Sequence, residues 1–103
     1  MKTKPWKNIK ELIEYPKEGV LSKVLVKNNK IDATLFCMPR GSELSEHTST
    51  KQGTIFVVEG KGVFNLEGKK IELKPNVFIS MKKKAVHSLK AEENLSFVLS
   101  LFE

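Results

Sequence analysis

The chain has 103 residues, of which 40% are hydrophobic and 29% charged, with a formal net charge of +6. That length supports one domain, which should bury somewhat over ~60% of the surface of its unfolded chain, and no apolar run approaches the ~20 residues that span a bilayer. Of the 18 basic residues only Arg40 is an arginine, which argues against base-specific nucleic-acid recognition, where arginine is favoured.

The N-terminal residues Met1 to Lys7 include lysines but no apolar stretch behind them, so no signal peptide is expected. A single cysteine, Cys37, excludes an intrachain disulfide and fits a reducing cytoplasm. Asn8 can cap a short helix, with Glu11 in the capping-box place. Ile9, Leu12 and Ile13 then share one face, and Pro16 stops the helix at about Glu14. Residues 1–18 are therefore expected to form an arm with a short helix, and residues 19–103 a single body.

After the arm, no segment has helical period. Strands are expected at Val20 to Val26 and Ile31 to Met38, separated by the turn signal Asn28-Asn29. Further strands are expected at Thr54 to Val58, Gly62 to Leu66, Lys70 to Leu73, Val77 to Met81, Val86 to Leu89 and Leu95 to Phe102. Glu67-Gly68 and Pro75-Asn76 read as turns. About eight short strands with a turn every ~8–12 residues indicate an all-β sandwich or barrel. In the last strand Leu95, Phe97, Leu99 and Leu101 form a fully apolar row, as a deeply buried face requires. Lys82-Lys83-Lys84 reads as a solvated turn, and no nucleic-acid or membrane partner is expected.

The two histidines, His47 and His87, lie forty residues apart. Period-two counting puts His87 on the face of Ala85 and Leu89, and Cys37 on the face of Ala33 and Leu35, where it would look into the barrel. Glu46 should point away from His47 if that stretch is regular.

Around these histidines the chain resembles a small single-domain cupin, a β-barrel of jelly-roll type. The first cupin motif is G-x5-H-x-H-x3,4-E-x6-G; Gly41 and His47 match its opening and Gly60 its closing glycine. Ser49 stands at the second histidine and Gly53 at the glutamate. Of the second motif, G-x5-P-x-G-x2-H-x3-N, only His87 matches; Asn76, Lys82, Lys84 and Ala91 occupy the other places. The resemblance implies a jelly-roll fold over residues from about 20 to 102 and a metal site in which only His47 and His87 remain of four ligands. Two imidazoles imply no tightly bound cofactor, and at most a weakly held divalent transition metal.

Three functional readings follow. In the first, the barrel mouth binds a small-molecule ligand, with His47, Gln52 and His87 as polar contacts, Ser49 nearby, and Phe56, Phe64, Phe78, Met81 and Phe97 as candidate walls. In the second, a metal-dependent enzyme of dioxygenase or isomerase type works with the reduced ligand set. In the third, the chain is a regulatory or structural partner protein. Trp6, Ile9, Leu12 and Ile13, too apolar for so short a chain to bury alone, imply together with the oligomeric habit of similar cupins a homodimer.

Overall fold

A computed structural model describes residues 5–103. Among them the chain forms one short helix, α1 (Ile9–Leu12), and nine strands: β1 (Leu21–Lys27), β2 (Ile31–Met38), β3 (Glu43–His47), β4 (Gln52–Glu59), β5 (Gly62–Leu66), β6 (Lys69–Leu73), β7 (Phe78–Met81), β8 (His87–Ala91) and β9 (Leu95–Phe102). A five-stranded sheet in the order β1-β2-β9-β4-β7 packs on a four-stranded sheet in the order β3-β8-β5-β6. All pairings are antiparallel. The protein is an all-β jelly roll.

The turns follow from local chemistry. Asn28 Oδ1 accepts from the backbone N–H groups of Lys30 and Ile31, at 2.8 and 3.1 Å, and so closes the β1–β2 hairpin. Glu67 and Gly68 both take positive φ, 49° and 83°, as the mirror-image turns favoured in two-residue hairpins demand. Asn8 caps α1 by accepting from the Lys10 N–H at 3.1 Å. The helix ends at Leu12, two residues short of the expected stop, because Ile13 is already extended with ψ of 130°.

The core lies between the sheets. Met38, Ile55, Val57, Phe64, Leu73, Ile79, Met81, Leu89, Leu95 and Phe97 form one buried cluster, each large side chain contributing roughly 1.5–3 kcal/mol on burial. The sequence reading of Cys37 needs correction here. Its face of β2, with Ala33 and Leu35, is the outer face of the five-stranded sheet, since Phe36 and not its neighbours lines the interior cavity. Ala33, Leu35 and Cys37 are nonetheless buried. The arm lies over part of that face: Tyr15 donates to Glu59 Oε2 at 2.8 Å, and Glu14 pairs with Lys23 of β1 at 3.1 Å. Burial pushes the Tyr15 hydroxyl up to about 12, Glu59 adding to the rise while Ser96 opposes it.

Strand β3 was not expected from the sequence. Its residues Glu43 to His47 are mostly exposed and polar, with only Leu44 half-buried, so no hydrophobic alternation marks it. No helix among the described residues is long and apolar enough to cross a membrane.

Candidate functional site

Strands β3 and β8 are neighbours, and His47 and His87 are register partners on them. In a regular strand, residues 44 and 47 would face opposite sides. The β3–β8 register shifts between Leu44 and His47, and the irregularity resets the parity so that both residues line the same cavity. This is the usual use of a bulge, to re-aim one side chain. Ser45 and Glu46 are left on the outer side, where they line a groove with Glu43, Lys70 and Lys90.

The two rings pack edge to face, with centroids 4.1 Å apart and planes at 62°. His87 is 8% exposed and stacks on the buried Phe64 ring at 5.8 Å, whereas His47 is exposed at the cavity mouth. Each ring is fixed by its own strand. His47 Nδ1 donates to the Ser45 carbonyl at 2.7 Å, and His87 Nδ1 donates to the Ala85 carbonyl at 2.9 Å. A carbonyl oxygen can only accept, so Nδ1 carries the proton in both neutral rings and Nε2 carries the lone pair. Burial holds the His87 pKa below the ordinary histidine value; the Ala85 hydrogen bond opposes that, and the neighbouring His47 reinforces it.

The cavity measures about 190 Å³ and is lined by Phe36, Leu44, Ile55, Leu89, Phe97 and Leu99 beside the two histidines. Phe36 and Phe97 stack at 5.3 Å to form its aromatic wall. Of the contacts expected from the sequence, the structure brings together His47, His87 and Phe97. Phe64 lies behind His87 rather than on the surface of the cavity, and Met81 is in the core. Phe56 and Phe78 face outward, 41% and 61% exposed, because the inward positions of β4 are Gly53, Ile55 and Val57. Gln52 shares the outward face, and its Nε2 donates to the Glu103 carbonyl at 3.3 Å. Ser49 is spent on a turn: its Oγ accepts from the Lys51 N–H at 3.1 Å and its carbonyl from the Lys84 N–H at 2.7 Å.

The larger groove beyond Glu46, about 390 Å³, is on the outer face of the four-stranded sheet. Its lysines and glutamates, with Lys90 and Glu43 paired at 3.9 Å, are those of a solvated surface. The cavity beside the two histidines is the better candidate, since apolar walls with a few convergent polar groups suit a small ligand.

A family model described as a cupin domain matches residues 34–102. The chain belongs to the cupin family. The fold of this cupin is similar to that of a conserved protein of unknown function from Streptococcus pyogenes, at 17% identity and a TM-score of 0.87, covering 100% of this chain and 90% of that one. It is also similar to a cupin 2 conserved barrel domain protein from Leptotrichia buccalis, at 26% identity and a TM-score of 0.87, covering 94% of this chain and 47% of that one. A third similar structure is KdgF from Halomonas sp., at 24% identity and a TM-score of 0.74, with 82% of this chain and 80% of that one covered. No curated protein matches the sequence.

The cupin motifs can now be read on the backbone. Gly41 and Gly60 take positive φ, and so do Asn76 and Lys84, at 77° and 63°, where the second motif has glycine. Thus both motifs keep their turn geometry, the second without glycine. The ligand places are altered more deeply. A Cβ at Gly53 would meet Leu101 Cδ2 at 2.9 Å and the Ser100 carbonyl at 3.0 Å, so a glutamate has no room there unless both move. Among the described residues no three His, Cys, Asp or Glu side chains are placed to share a metal ion. The residues present do not fit the four-ligand centre that the family motif describes.

Proposed function

We propose that this cupin is a binding module for a small, largely apolar molecule of about one ring that carries a hydroxyl or amine hydrogen-bond donor. The observation that carries this reading is the fixed pair of imidazoles on an apolar cavity, each with Nδ1 committed to its own backbone. Such rings offer acceptors to the ligand, and none of the other lining residues is charged. A donor-bearing ligand is favoured over a carboxylate or phosphate, which would be desolvated without a cationic partner. The size follows from volume, since a dry cavity of about 150 Å³ accepts benzene.

The test is an NMR titration with phenol, toluene and benzoate, single-ring probes that differ in the polar group. Phenol is expected to shift the ring nitrogens of both histidines and to bind about fivefold more tightly than toluene, the worth of one hydrogen bond. Benzoate binding best at pH 8, or histidine signals that do not respond to any probe, would overturn the reading.

A weak metal site is the second reading, supported by the same pair of Nε2 lone pairs, since fixing Nδ1 on an acceptor is how ligating histidines are usually oriented. Zinc, nickel or copper should bind more weakly than micromolar, less in acid as protons compete, and not at all after His47→Ala. Ser49→His should tighten the binding. Sub-micromolar affinity in the unaltered protein would favour the metal-dependent enzyme over the binding module.

A further inference from the structure

The turn Lys82-Lys83-Lys84 is exposed, as the sequence predicts, but two of its lysines share a groove of about 390 Å³. The groove is bordered by β6 and β7, the edge strands of the two sheets. Lys69 of β6 lines it from one sheet and Ser80 of β7 from the other, with Lys82 and Lys83 on the connection that leaves β7. The less exposed Leu66 and Ala85 form its apolar floor.

The backbone around the groove is held. The Glu67 N–H donates to the Val86 carbonyl at 2.8 Å, and the Val86 N–H donates to Glu67 Oε2 at 3.0 Å. The Lys84 N–H donates to the Ser49 carbonyl at 2.7 Å, and the Ala85 N–H to the Lys82 carbonyl at 3.2 Å. Lys82 and Lys83 therefore stand on a fastened turn. Ser80 adds two uncharged donors. The Val57 N–H bonds the Val77 carbonyl, so by alternation Ile79 and Met81 are the residues bonded to β4, and the Ser80 N–H points away from it. No further strand lies on that side.

Charge in the groove is one-sided. Lys23, Lys27, Lys51 and Lys90 each pair with a carboxylate; among the described residues Lys69, Lys82 and Lys83 do not. The one acid of the groove, Glu67, has its carboxylate bonded to the Val86 N–H. A lysine on an edge strand guards against stray strand pairing. That accounts for Lys69, but not for two more lysines beyond the end of β7.

We propose that this groove binds a phosphate group, carried by a small ester or free in solution. Ammonium groups from two sides, with a hydroxyl and an N–H between them, suit an anion with several acceptor oxygens, which lysine meets as a point charge. Bidentate carboxylate pairing is the geometry of arginine, and none lines the groove. One compact groove engages one phosphate, whereas nucleic acid needs a track of them. The site shares no residue with the histidine cavity and does not depend on what that cavity binds.

An NMR titration of the full chain with inorganic phosphate and with propyl phosphate, at low ionic strength, tests the proposal. The backbone amides of Ser80, Lys82 and Lys83 should shift with a roughly millimolar dissociation constant, while the histidine ring nitrogens stay still. Lys69→Ala and Lys83→Ala should each weaken binding about threefold, as exposed charge contacts do, and the double variant about tenfold. Lys30→Ala, an equal loss of charge on the β1–β2 turn, should leave it unchanged. Tighter binding of propyl phosphate assigns the site to an ester whose apolar body lies on Leu66 and Ala85; equal affinity assigns it to free phosphate. Sodium chloride should weaken both. Silent turn amides, or a Lys30→Ala effect equal to that of Lys83→Ala, would overturn the proposal. So would an oligothymidylate that binds far more tightly than either probe, since that is the behaviour of a nucleic-acid surface.

Discussion

The stretch from Gly41 to Gly60 and the stretch from Asn76 to Ala91 carry one histidine each and build it into the site by different means. The first is polar and mostly exposed as far as the start of β4; it presents His47 through a register shift in β3 and is bounded by two glycines. The second holds two alternating strands, β7 and β8, joined by an exposed lysine turn; His87 sits on Phe64, and its buried face continues into Leu89 and Ala91. It takes the same left-handed turns with Asn76 and Lys84 in place of glycine. One wall of the cavity is therefore part of the core, and the other is fastened to the surface by a few hydrogen bonds. Glycine is indispensable in such turns only where a neighbour also needs the space.

The comparison can be broken most severely at Gly60. A Cβ there would run into the Asn94 carbonyl and the Leu95 backbone while φ is +100°. Gly60→Ala is expected to lose about 3 kcal/mol or more of stability, read by urea unfolding; a loss below about 1 kcal/mol would mean the β9 backbone yields.

The histidines should separate next. His87→Ala leaves a cavity beneath a ring that is 8% exposed and should cost about 2 kcal/mol. His47→Ala should change stability by under about 0.5 kcal/mol while abolishing the response to phenol. Equal destabilisation by the two would show that β3 is as much a part of the core as β8.

The depressed pKa of His87 has a definite sign. Above the ordinary histidine value, ~6.5, both folded and unfolded chains keep this residue neutral and its stability contribution is full. As pH falls below that value the unfolded chain takes up the proton first, so stability is lost until the folded pKa is passed. Denaturant midpoints measured from pH 7.5 to 5 should fall, and His87→Phe should flatten the slope. A slope unchanged in that variant would assign the effect to another group.

The smallest effect should be a gain. Lys84→Gly removes the left-handed strain of a side-chain-bearing residue at φ of 63°, worth roughly 1 kcal/mol before the backbone entropy of glycine is subtracted. A small rise in Tm is expected; a fall would show that the Lys84 side chain contributes more than its backbone strain takes away.

How much of this was legible depended on which force shaped each segment. Strands β4 and β5 announce themselves because the core and the outer face select alternate residues, and β2 and β9 because they are long apolar runs covered on both faces. Strand β3 does not: its register shift breaks the alternation, and its edge position leaves Leu44 as its single inward apolar side chain. His47 could be found from its spacing to Gly41 and Gly60, and His87 from its place on the apolar face of a short strand, but most of the cavity wall could not. Phe36 is flanked by Leu35 and Cys37, which are equally apolar because the arm covers their side while the core covers the other. Phe56 looked like a wall for the converse reason. Apolar character alone does not say which side of its own sheet a residue faces.

The arm has a further consequence for Cys37. Its thiol is 0% exposed, beside Ser96 in the register and near Tyr15, whose hydroxyl is fastened to Glu59. A small alkylating reagent can reach that sulfur only when the arm lifts, so the rate of labelling is a clock for arm detachment, running while the rest of the molecule stays folded. Tyr15→Phe removes the fastening and should make the clock run faster at constant global stability. Labelling that keeps pace with global unfolding instead would mean that the arm and the barrel open as one.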